Sequence, residues 1–218
     1  QGERPRRGRF DRGAVKPKML QRLYGTAFET QAALDEYIAL IEQAKKNDHR
    51  RLGRDLGLFS FHDEGAGFPF FHARGTVLYN LVVDRLRAEN LARGYDEIRT
   101  PLILNRSLWE MSGHWEAYRE NMYFTDIDEA PHAVKPMNCP GGLLVFKTGV
   151  VSYKQLPIRN AEFGVCHRHE LSGVLMGLFR VRSFTQDDAH IFCMREQIED
   201  EIVAIIDYIG AVMKRFGF

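Results

Sequence analysis

The sequence predicts an α+β fold in which helices pack on an antiparallel sheet. Three patterns support it: a long stretch of helical apolar spacing, two consecutive strand-like segments, and an amphipathic helical stretch near the end of the chain. The 218 residues suffice for one substantial domain and an appendage, and 44% hydrophobic with 27% charged residues is a globular composition. No run of eighteen apolar residues and no secretory signal is visible, so we expect a cytoplasmic protein without a membrane partner.

The composition divides the chain into three parts: a basic arm (1–18), a linker helix region (19–58) and a main domain (59–218). The arm is rich in Gly, Pro and Arg and lacks periodicity, so we expect it to be irregular. Its positive charge is compatible with a disordered, solvated tail and also with a contact to RNA. The sequence leaves both alternatives open.

Several helices and strands are predicted in order. Thr30 is a residue type that caps helices, and apolar residues at helical spacing follow it to about Lys46. A long helix is expected from Thr76 to Arg93, where Gly94 ends it. Two further helices are expected at 106–112 and from Ile198 onward. Strands are expected at 95–100, 161–170 and 178–192.

The last predicted strand has an unusual row of polar side chains. Because side chains alternate with a period of two, one face carries Arg180, Arg182, Phe184, Gln186, Asp188 and His190. Arg168 and Glu170 share one face of the strand before it. The row is either the wet side of a sheet or a binding face, and its mixture of aromatic, amide, carboxylate and imidazole groups favours binding.

The segment between these two strands (171–177) contains two glycines and a serine, which predicts a mobile loop. Arg168 lies before this loop and Arg180 after it, so the two guanidinium groups could bind a triphosphate. Phe184 could then stack under a purine ring. Phosphate sites are also built in other ways.

The three cysteines are odd in number and far apart, which favours reduced thiols. Cys139 lies in a proline-flanked turn and His190 ends the polar row, so both are candidate metal ligands. Their separation does not match a compact zinc finger, and ordinary structural roles stay open. Cys166 and Cys193 are interpreted as packing residues.

Several segments together resemble the threonyl-tRNA synthetase family, a branch of the class II aminoacyl-tRNA synthetases. They run in the family's order from about Met19 to Phe218. The most specific are KPMNCPG and FTQDDAHIFC, and the others are LQRLYGTAF, AKKNDHRRLGRDLGLF, GYDEIRTP, RSLWEMSGHWEAYRENM and EFGVCHRHELSG. The resemblance implies a class II synthetase-type antiparallel sheet flanked by helices and incomplete at the C-terminus. It makes the strand before Pro101 the family's motif 1, at a homodimer interface.

The resemblance also implies an ATP site in motif 2. Arg168 would contact the α-phosphate and the amino-acid carboxylate, which makes it the catalytic residue. Glu170 would accept a hydrogen bond from the adenine amino group. Arg180 would reach the phosphates and Phe184 would stack on adenine.

For the amino acid, the resemblance implies that Met137, Gln186 and Asp188 line the threonine pocket, with Asp188 receiving the substrate hydroxyl. Cys139 and His190 would be two of three protein ligands of Zn²⁺. The implied cofactors are therefore Zn²⁺, ATP and Mg²⁺.

By the same resemblance, the function is activation of threonine to threonyl-adenylate and its transfer to tRNA(Thr). Motif 3, the third zinc ligand and the anticodon-binding domain would lie after Phe218. We therefore expect little or no aminoacylation from this piece alone. The alternative is a non-catalytic synthetase-like protein that binds tRNA, an amino acid or a partner chain.

Overall fold

The computed structural model describes residues 24–218, so the basic arm (1–18) and the beginning of the linker region lie outside the described residues. The chain forms two compact units, one ending at Lys46 and one running from Asn47 to Phe218. The second unit therefore begins before the expected boundary at Phe59, because the segment at 49–55 folds as a helix of that unit.

The first unit contains helix α1 (Gln31–Lys46) among its described residues. The hydroxyl oxygen of Thr30 accepts a hydrogen bond from the backbone N–H of Ala33 at 3.2 Å. This contact satisfies one of the free N–H groups at the helix start, so the predicted N-cap is confirmed. The helix ends at Lys46, as the sequence predicts.

The second unit mixes helices and short strands around one long strand pair. Its helices are α2 (His49–Asp55), α3 (Ala73–Ala92), α4 (Arg106–Met111), α5 (His114–Tyr118), α6 (Cys139–Phe146) and α7 (Ile198–Arg215). Its strands are β1 (Phe59–Ser60), β2 (Phe70–Phe71), β3 (Asp96–Glu97), β4 (Ile103–Asn105), β5 (Tyr123–Ile127), β6 (Ala130–Val134), β7 (Ile158–His167) and β8 (Ser183–Phe192). The three helices predicted for this part of the chain correspond to α3, α4 and α7, with small shifts at their ends.

The strands form three sheets. Strands β7 and β8 pair antiparallel over ten residues, with Ile158 opposite Phe192 and His167 opposite Ser183. Strand β3 extends this sheet by pairing parallel to β7. The other two sheets have the strand orders β1–β2 and β4–β6–β5. The predicted antiparallel pair is thus the centre of the fold, and the small sheet β4–β6–β5 is an element that the sequence analysis did not foresee.

Both long strands lie at bounds that differ from the prediction. The strand expected at 161–170 runs from Ile158 to His167, and the one expected at 178–192 begins only at Ser183. The regular pairing ends beyond Ser183, because only half of the next pair is made: the N–H of Arg168 donates to the carbonyl of Arg182 at 3.0 Å, but the N–H of Arg182 donates to the carbonyl of Gly67 at 2.7 Å and not back to Arg168. The strand expected at 95–100 is reduced to the two residues of β3.

A small apolar core lies where α4 and α5 meet the sheet β4–β6–β5. Its buried members are Trp109, Trp115, Met122 and Ala133. The indole N–H of Trp109 donates to the carbonyl of Leu104 at 3.1 Å, which satisfies its polar atom in this fully buried position. Among the described residues, no helix combines the length and apolar character needed to cross a lipid bilayer.

Candidate active site

One face of the β7–β8 pair carries the polar row that the sequence predicts. Residues directly opposite each other in an antiparallel pair lie on the same face of the sheet. From β8 this face takes Phe184, Gln186, Asp188 and His190, and from β7 it takes the residues opposite them, Cys166, Gly164, Glu162 and Asn160. We call this surface the polar face, its His190 end the metal end, and its Phe184 end the nucleotide end.

Three candidate ligand atoms converge at the metal end. One atom each from Cys139, Asp188 and His190 lies within 4.8 Å of the others. Sulfur, carboxylate oxygen and imidazole nitrogen are all donors that zinc accepts, and ligands of one tetrahedral zinc lie roughly 3.5 Å apart. A small side-chain movement therefore suffices for all three to contact one ion. The predicted ligands Cys139 and His190 are brought together, and Asp188 lies at the same point.

Cys139 reaches this point because it is the first residue of α6 and follows a rigid turn. Pro136 and Pro140, on either side of it, are fully buried, which fixes the backbone around the thiol. Burial raises the pKa of the Cys139 thiol, and the nearby Asp188 carboxylate raises it further. The free thiol is therefore protonated at neutral pH, so a metal ion that binds here has to displace a proton.

Asp188 is oriented by Asn138, a residue that the sequence analysis did not single out. The Asn138 side chain is fully buried, and its Nδ2 donates to Oδ2 of Asp188 at 3.2 Å. Gly164, on the facing strand, leaves the space for it, because a Cβ at position 164 would overlap the Asn138 amide. The position of Asp188 is thus set by the packing of the turn against β7.

Cys166 is not one of the three candidate metal ligands and lies in the buried core beside them. It is fully buried, and its sulfur lies 3.5 Å from Oδ1 of Asn138 and 3.4 Å from Oε1 of Gln186. Burial raises the pKa of its thiol to about 11, so it remains a neutral S–H donor. The interpretation of Cys166 as a packing residue is confirmed, and its contact places Gln186 next to the metal end.

A buried ion pair lies next to the metal end, where Glu162 of β7 is opposite Asp188 of β8. Nζ of Lys135 lies 2.8 Å from Oε1 of Glu162, and the two side chains are only 3% and 6% exposed. Thr100 completes the group, because its N–H and hydroxyl both donate to Oε1 of Glu162, at 3.0 and 2.9 Å. The sequence carried a signal for Glu162, since it continues the period-two row of the polar face. Its partner Lys135 lies in a different segment of the chain.

The four residues expected to bind ATP meet at the nucleotide end. Nε of Arg168 donates to the carbonyl of Pro136 at 3.0 Å, and its guanidinium carbon lies 5.1 Å from the centre of the Phe184 ring. Oε2 of Glu170 accepts from Arg180, with Nη2 at 3.0 Å. A cavity of about 450 Å³ opens between them. Its lining consists of Arg168, Glu170, Leu178, Phe179, Arg180, Val181 and Phe184.

Arg182 does not join this cavity, although the alternation rule placed it in the same row. Its guanidinium donates to the backbone carbonyls of Glu170 at 2.9 Å and Ala66 at 2.8 Å. Position 182 precedes β8, and its side chain connects the segment at Ala66 to the segment at Glu170. Met137, expected beside the threonine pocket, is half-buried in the turn before Cys139.

Known proteins are similar to this chain in sequence and in fold. The family profile described as "tRNA synthetase class II core domain (G, H, P, S and T)" matches residues 123–218. A threonine–tRNA ligase from Clostridium botulinum (strain Kyoto / Type A2) is 58% identical over 211 residues, which cover 97% of this chain and 33% of that protein. Over nearly all of its length, the chain is similar in sequence to threonine–tRNA ligases.

Solved structures of this class have the same fold. The chain superposes with a TM-score of 0.76 and 47% identity on a structure described as the RNA binding domain of threonyl-tRNA synthetase from Cryptosporidium parvum Iowa II, covering 78% of this chain and 43% of that one. The prolyl-tRNA synthetase of Giardia lamblia, in complex with prolyl-adenylate, gives a TM-score of 0.70 at 20% identity over 80% of this chain and 36% of that one, a likeness of fold alone. The expected class II fold is confirmed. The chain spans 33% of the length of its curated threonyl-tRNA synthetase relatives.

Proposed function

We propose that this chain is the part of a threonine–tRNA ligase that activates threonine with ATP, for later transfer to tRNA(Thr). The observation that carries the proposal is the joint placement of two sites on the polar face. Cys139, Asp188 and His190 converge at one end, and a cavity lined by Arg168 and Phe184 lies at the other. Activation of an amino acid requires such neighbouring sites, because the amino-acid carboxylate attacks the α-phosphorus of ATP and displaces pyrophosphate.

Membership of class II implies ATP and Mg²⁺, and the nucleotide end offers groups for this substrate. Arg168 is fixed by its bond to Pro136 and by its stacking on Phe184, and a guanidinium has further N–H groups that can bind phosphate and carboxylate oxygens. A carboxylate has about four acceptor positions, so Glu170 can hold Arg180 and still accept from an adenine amino group. In-line attack requires charge neutralisation by arginines and magnesium, and no nucleophilic side chain.

The metal end accounts for selection of threonine over valine. A zinc ion bound there by Cys139 and His190 would supply an open coordination position for the substrate. Asp188, which accepts a hydrogen bond from Asn138, would receive the substrate hydroxyl, and Gln186 and Met137 would line the pocket. A site built around a hydroxyl rejects an analogue without one by about 10⁴–10⁵, whereas an apolar pocket reaches about 10². Serine keeps the hydroxyl and is not excluded in this way.

The remaining parts of the proposal concern partners and location. The segment around β3 and Pro101 corresponds to motif 1, so we propose a homodimer formed through it. We also propose tRNA(Thr) as the macromolecular substrate. We also propose a cytoplasmic location, which the three free cysteines support because reduced thiols are typical of a reducing compartment.

Metal binding tests the proposal directly. Co²⁺ is a spectroscopic substitute for Zn²⁺, and a thiolate ligand gives it a strong charge-transfer absorption. Titration of this chain with Co²⁺ is expected to give that band with one ion per chain, and Cys139→Ser should remove the band. Cys193→Ser is the matched control and should leave it unchanged. A wild-type chain that binds no Co²⁺ or Zn²⁺ would contradict the proposal.

The variant Asp188→Asn distinguishes two possible roles of Asp188, a contact to the substrate hydroxyl and a contact to the metal ion. If this carboxylate receives the substrate hydroxyl, the variant keeps its metal affinity and loses the preference for threonine over valine in calorimetric titration. If it is a metal ligand, the affinity for Zn²⁺ itself falls, by more than the factor of about 10 to 100 that follows the loss of an outer-shell partner.

Activity is measured by ATP–pyrophosphate exchange with threonine. Because the chain spans 33% of its relatives' length, we expect little exchange from this piece alone. An exchange rate close to that of a complete threonine–tRNA ligase would contradict this expectation, though not the assignment of the two sites.

A further inference from the structure

His49, which is far from the polar face in sequence, contacts a residue that lines the cavity at the nucleotide end. Nε2 of His49, in α2, accepts a hydrogen bond from the backbone N–H of Leu178 at 2.9 Å. The two residues are 129 positions apart. Leu178 lines the ATP cavity proposed above, so this bond joins α2 to the wall of that cavity.

The contacted segment is a tight turn, which we call the 176–180 turn. It closes on itself, because the N–H of Met176 donates to the carbonyl of Arg180 at 3.1 Å and the N–H of Phe179 donates to the carbonyl of Met176 at 3.0 Å. The N–H of Leu178 points to His49 instead. The turn carries Arg180, whose guanidinium pairs with Glu170 in the cavity. Holding the turn therefore holds this arginine in place.

Three consecutive residues of the turn, Gly177, Leu178 and Phe179, lie against the imidazole of His49. Gly177 has φ of 50°, and a Cβ at this position would overlap Nε2 of His49, so both conformation and space require glycine. The Phe179 ring meets the imidazole edge-on, with 4.7 Å between ring centres. Together with the bond to Leu178, these contacts match an aromatic ring that has a hydrogen-bond acceptor at the position of Nε2.

The imidazole is itself held from the other side. It stacks on the buried ring of Phe59, with 6.4 Å between ring centres and 24° between ring planes. Asp48 starts the helix by accepting from the N–H of Arg50 at 2.8 Å. An imidazole nitrogen that accepts an N–H carries no proton, so the proton of neutral His49 is on Nδ1, 3.8 Å from Oδ1 of Asp48.

We infer that His49 is a positioning residue for ATP: by accepting from Leu178 it fixes the 176–180 turn and, through it, the position of Arg180 at the nucleotide end. The inference rests on the proposed function, because it concerns the ATP site of that proposal. His49 itself lines no part of the cavity and acts only through the turn.

Two substitutions separate the acceptor from the ring. His49→Phe keeps the ring contacts with Phe59 and Phe179 and removes the acceptor, whereas His49→Gln returns an acceptor near the position of Nε2. We expect His49→Phe to weaken MgATP binding to the chain about tenfold, the factor for one lost hydrogen bond, and His49→Gln to bind within about threefold of wild type. Calorimetric titration measures both, and Zn²⁺ affinity should be the same in all three proteins.

Hydrogen exchange at the Leu178 amide gives a readout without nucleotide. It should be slow in wild type and in His49→Gln, and about tenfold faster in His49→Phe. Should His49→Phe fail to fold, Gly177→Ala disturbs the same contact from the turn and should weaken MgATP binding and speed Leu178 exchange. Its control is Gly173→Ala, where nothing lies within 4 Å of the new Cβ.

The possible failures are distinguishable. A wild-type chain that binds no MgATP would contradict the proposed ATP site and, with it, the role of His49 in ATP binding. Normal MgATP binding in wild type together with unchanged affinity and unchanged Leu178 exchange in His49→Phe would overturn the inference alone. Loss of both in His49→Phe with no recovery in His49→Gln would show that the ring, and not the acceptor, positions the turn.

Discussion

The two ends of the polar face are constructed in opposite ways. At the metal end, the supporting residues Asn138, Lys135 and Glu162 are only 1%, 2% and 4% exposed, and each has a hydrogen-bonded partner. At the nucleotide end, the side chain of Arg180 is 56% exposed and lies outside the regular strands. One end is held by the core of the domain, and the other by a loop and its contacts.

This difference indicates how each end responds to change. Groups buried in a low-dielectric interior are costly to leave unpaired, so the geometry of the metal end is tied to the stability of the fold. Exposed ion pairs contribute little to stability, so the nucleotide end can be altered without unfolding the domain. Substitutions at the metal end should therefore affect stability first, and those at the nucleotide end should affect binding first.

The largest effect is expected for Lys135→Met. This change leaves the Glu162 carboxylate buried without its cationic partner, and breaking a buried pair in this way costs about 3–5 kcal/mol. Urea unfolding followed by circular dichroism measures the loss. Lys154→Met removes an exposed lysine and is the control, with an expected change within about 0.5 kcal/mol. A loss below about 1 kcal/mol for Lys135→Met would mean that water reaches the pair.

A smaller effect is expected for Gly164→Ala. The added Cβ would overlap the Asn138 amide, and overpacking of this kind costs about 2 kcal/mol. Because Asn138 orients Asp188, we also expect the proposed Zn²⁺ affinity to fall about tenfold if Asp188 contributes to the ion. Thermal unfolding and metal titration measure the two effects. Gly173→Ala, whose Cβ meets nothing within 4 Å, should change neither, and equal behaviour of the two variants would contradict the packing argument.

The sequence predicted those parts of the site that depend on local patterns. The alternation in 184–190 places Phe184, Asp188 and His190 on one face whatever the rest of the chain does, and the structure confirms this. The same alternation did not bring Arg182 to the cavity: its carbonyl still accepts from the N–H of Arg168, but its guanidinium donates to the backbone of Glu170 and Ala66. The predicted start of β8 was wrong because it depends on a backbone contact to Gly67, which no local pattern shows.

Contacts between distant segments could not be predicted from one sequence. The pairing of Lys135 with Glu162 and the contact of Asn138 with Asp188 join the turn before α6 to two different strands. His49 meets Leu178 only because α2 folds into the second unit, where a linker was expected. Local periodicity carries no information on such distances. The convergence of Cys139 and His190 was expected from a family resemblance and not from their spacing.

The smallest effect on stability, with a clear effect on binding, is expected for Arg180→Met. Loss of an exposed ion pair with Glu170 should change the free energy of unfolding by less than about 1 kcal/mol. If Arg180 binds phosphate as proposed, loss of its guanidinium should weaken MgATP binding by about 10- to 100-fold. Arg195→Met, an exposed arginine outside the cavity lining, is the control for both measurements.

The double variant Arg180→Met with His49→Phe then tests whether the loop acts as one unit. If His49 works by holding Arg180, removing the arginine first leaves little for the histidine to do, so the double variant should bind MgATP about as weakly as Arg180→Met alone. Effects that multiply would instead mean that His49 supports the cavity through Leu178 and Phe179, independently of the arginine. Either result should leave urea unfolding nearly unchanged relative to His49→Phe, because the Arg180 pair lies at the exposed end of the polar face.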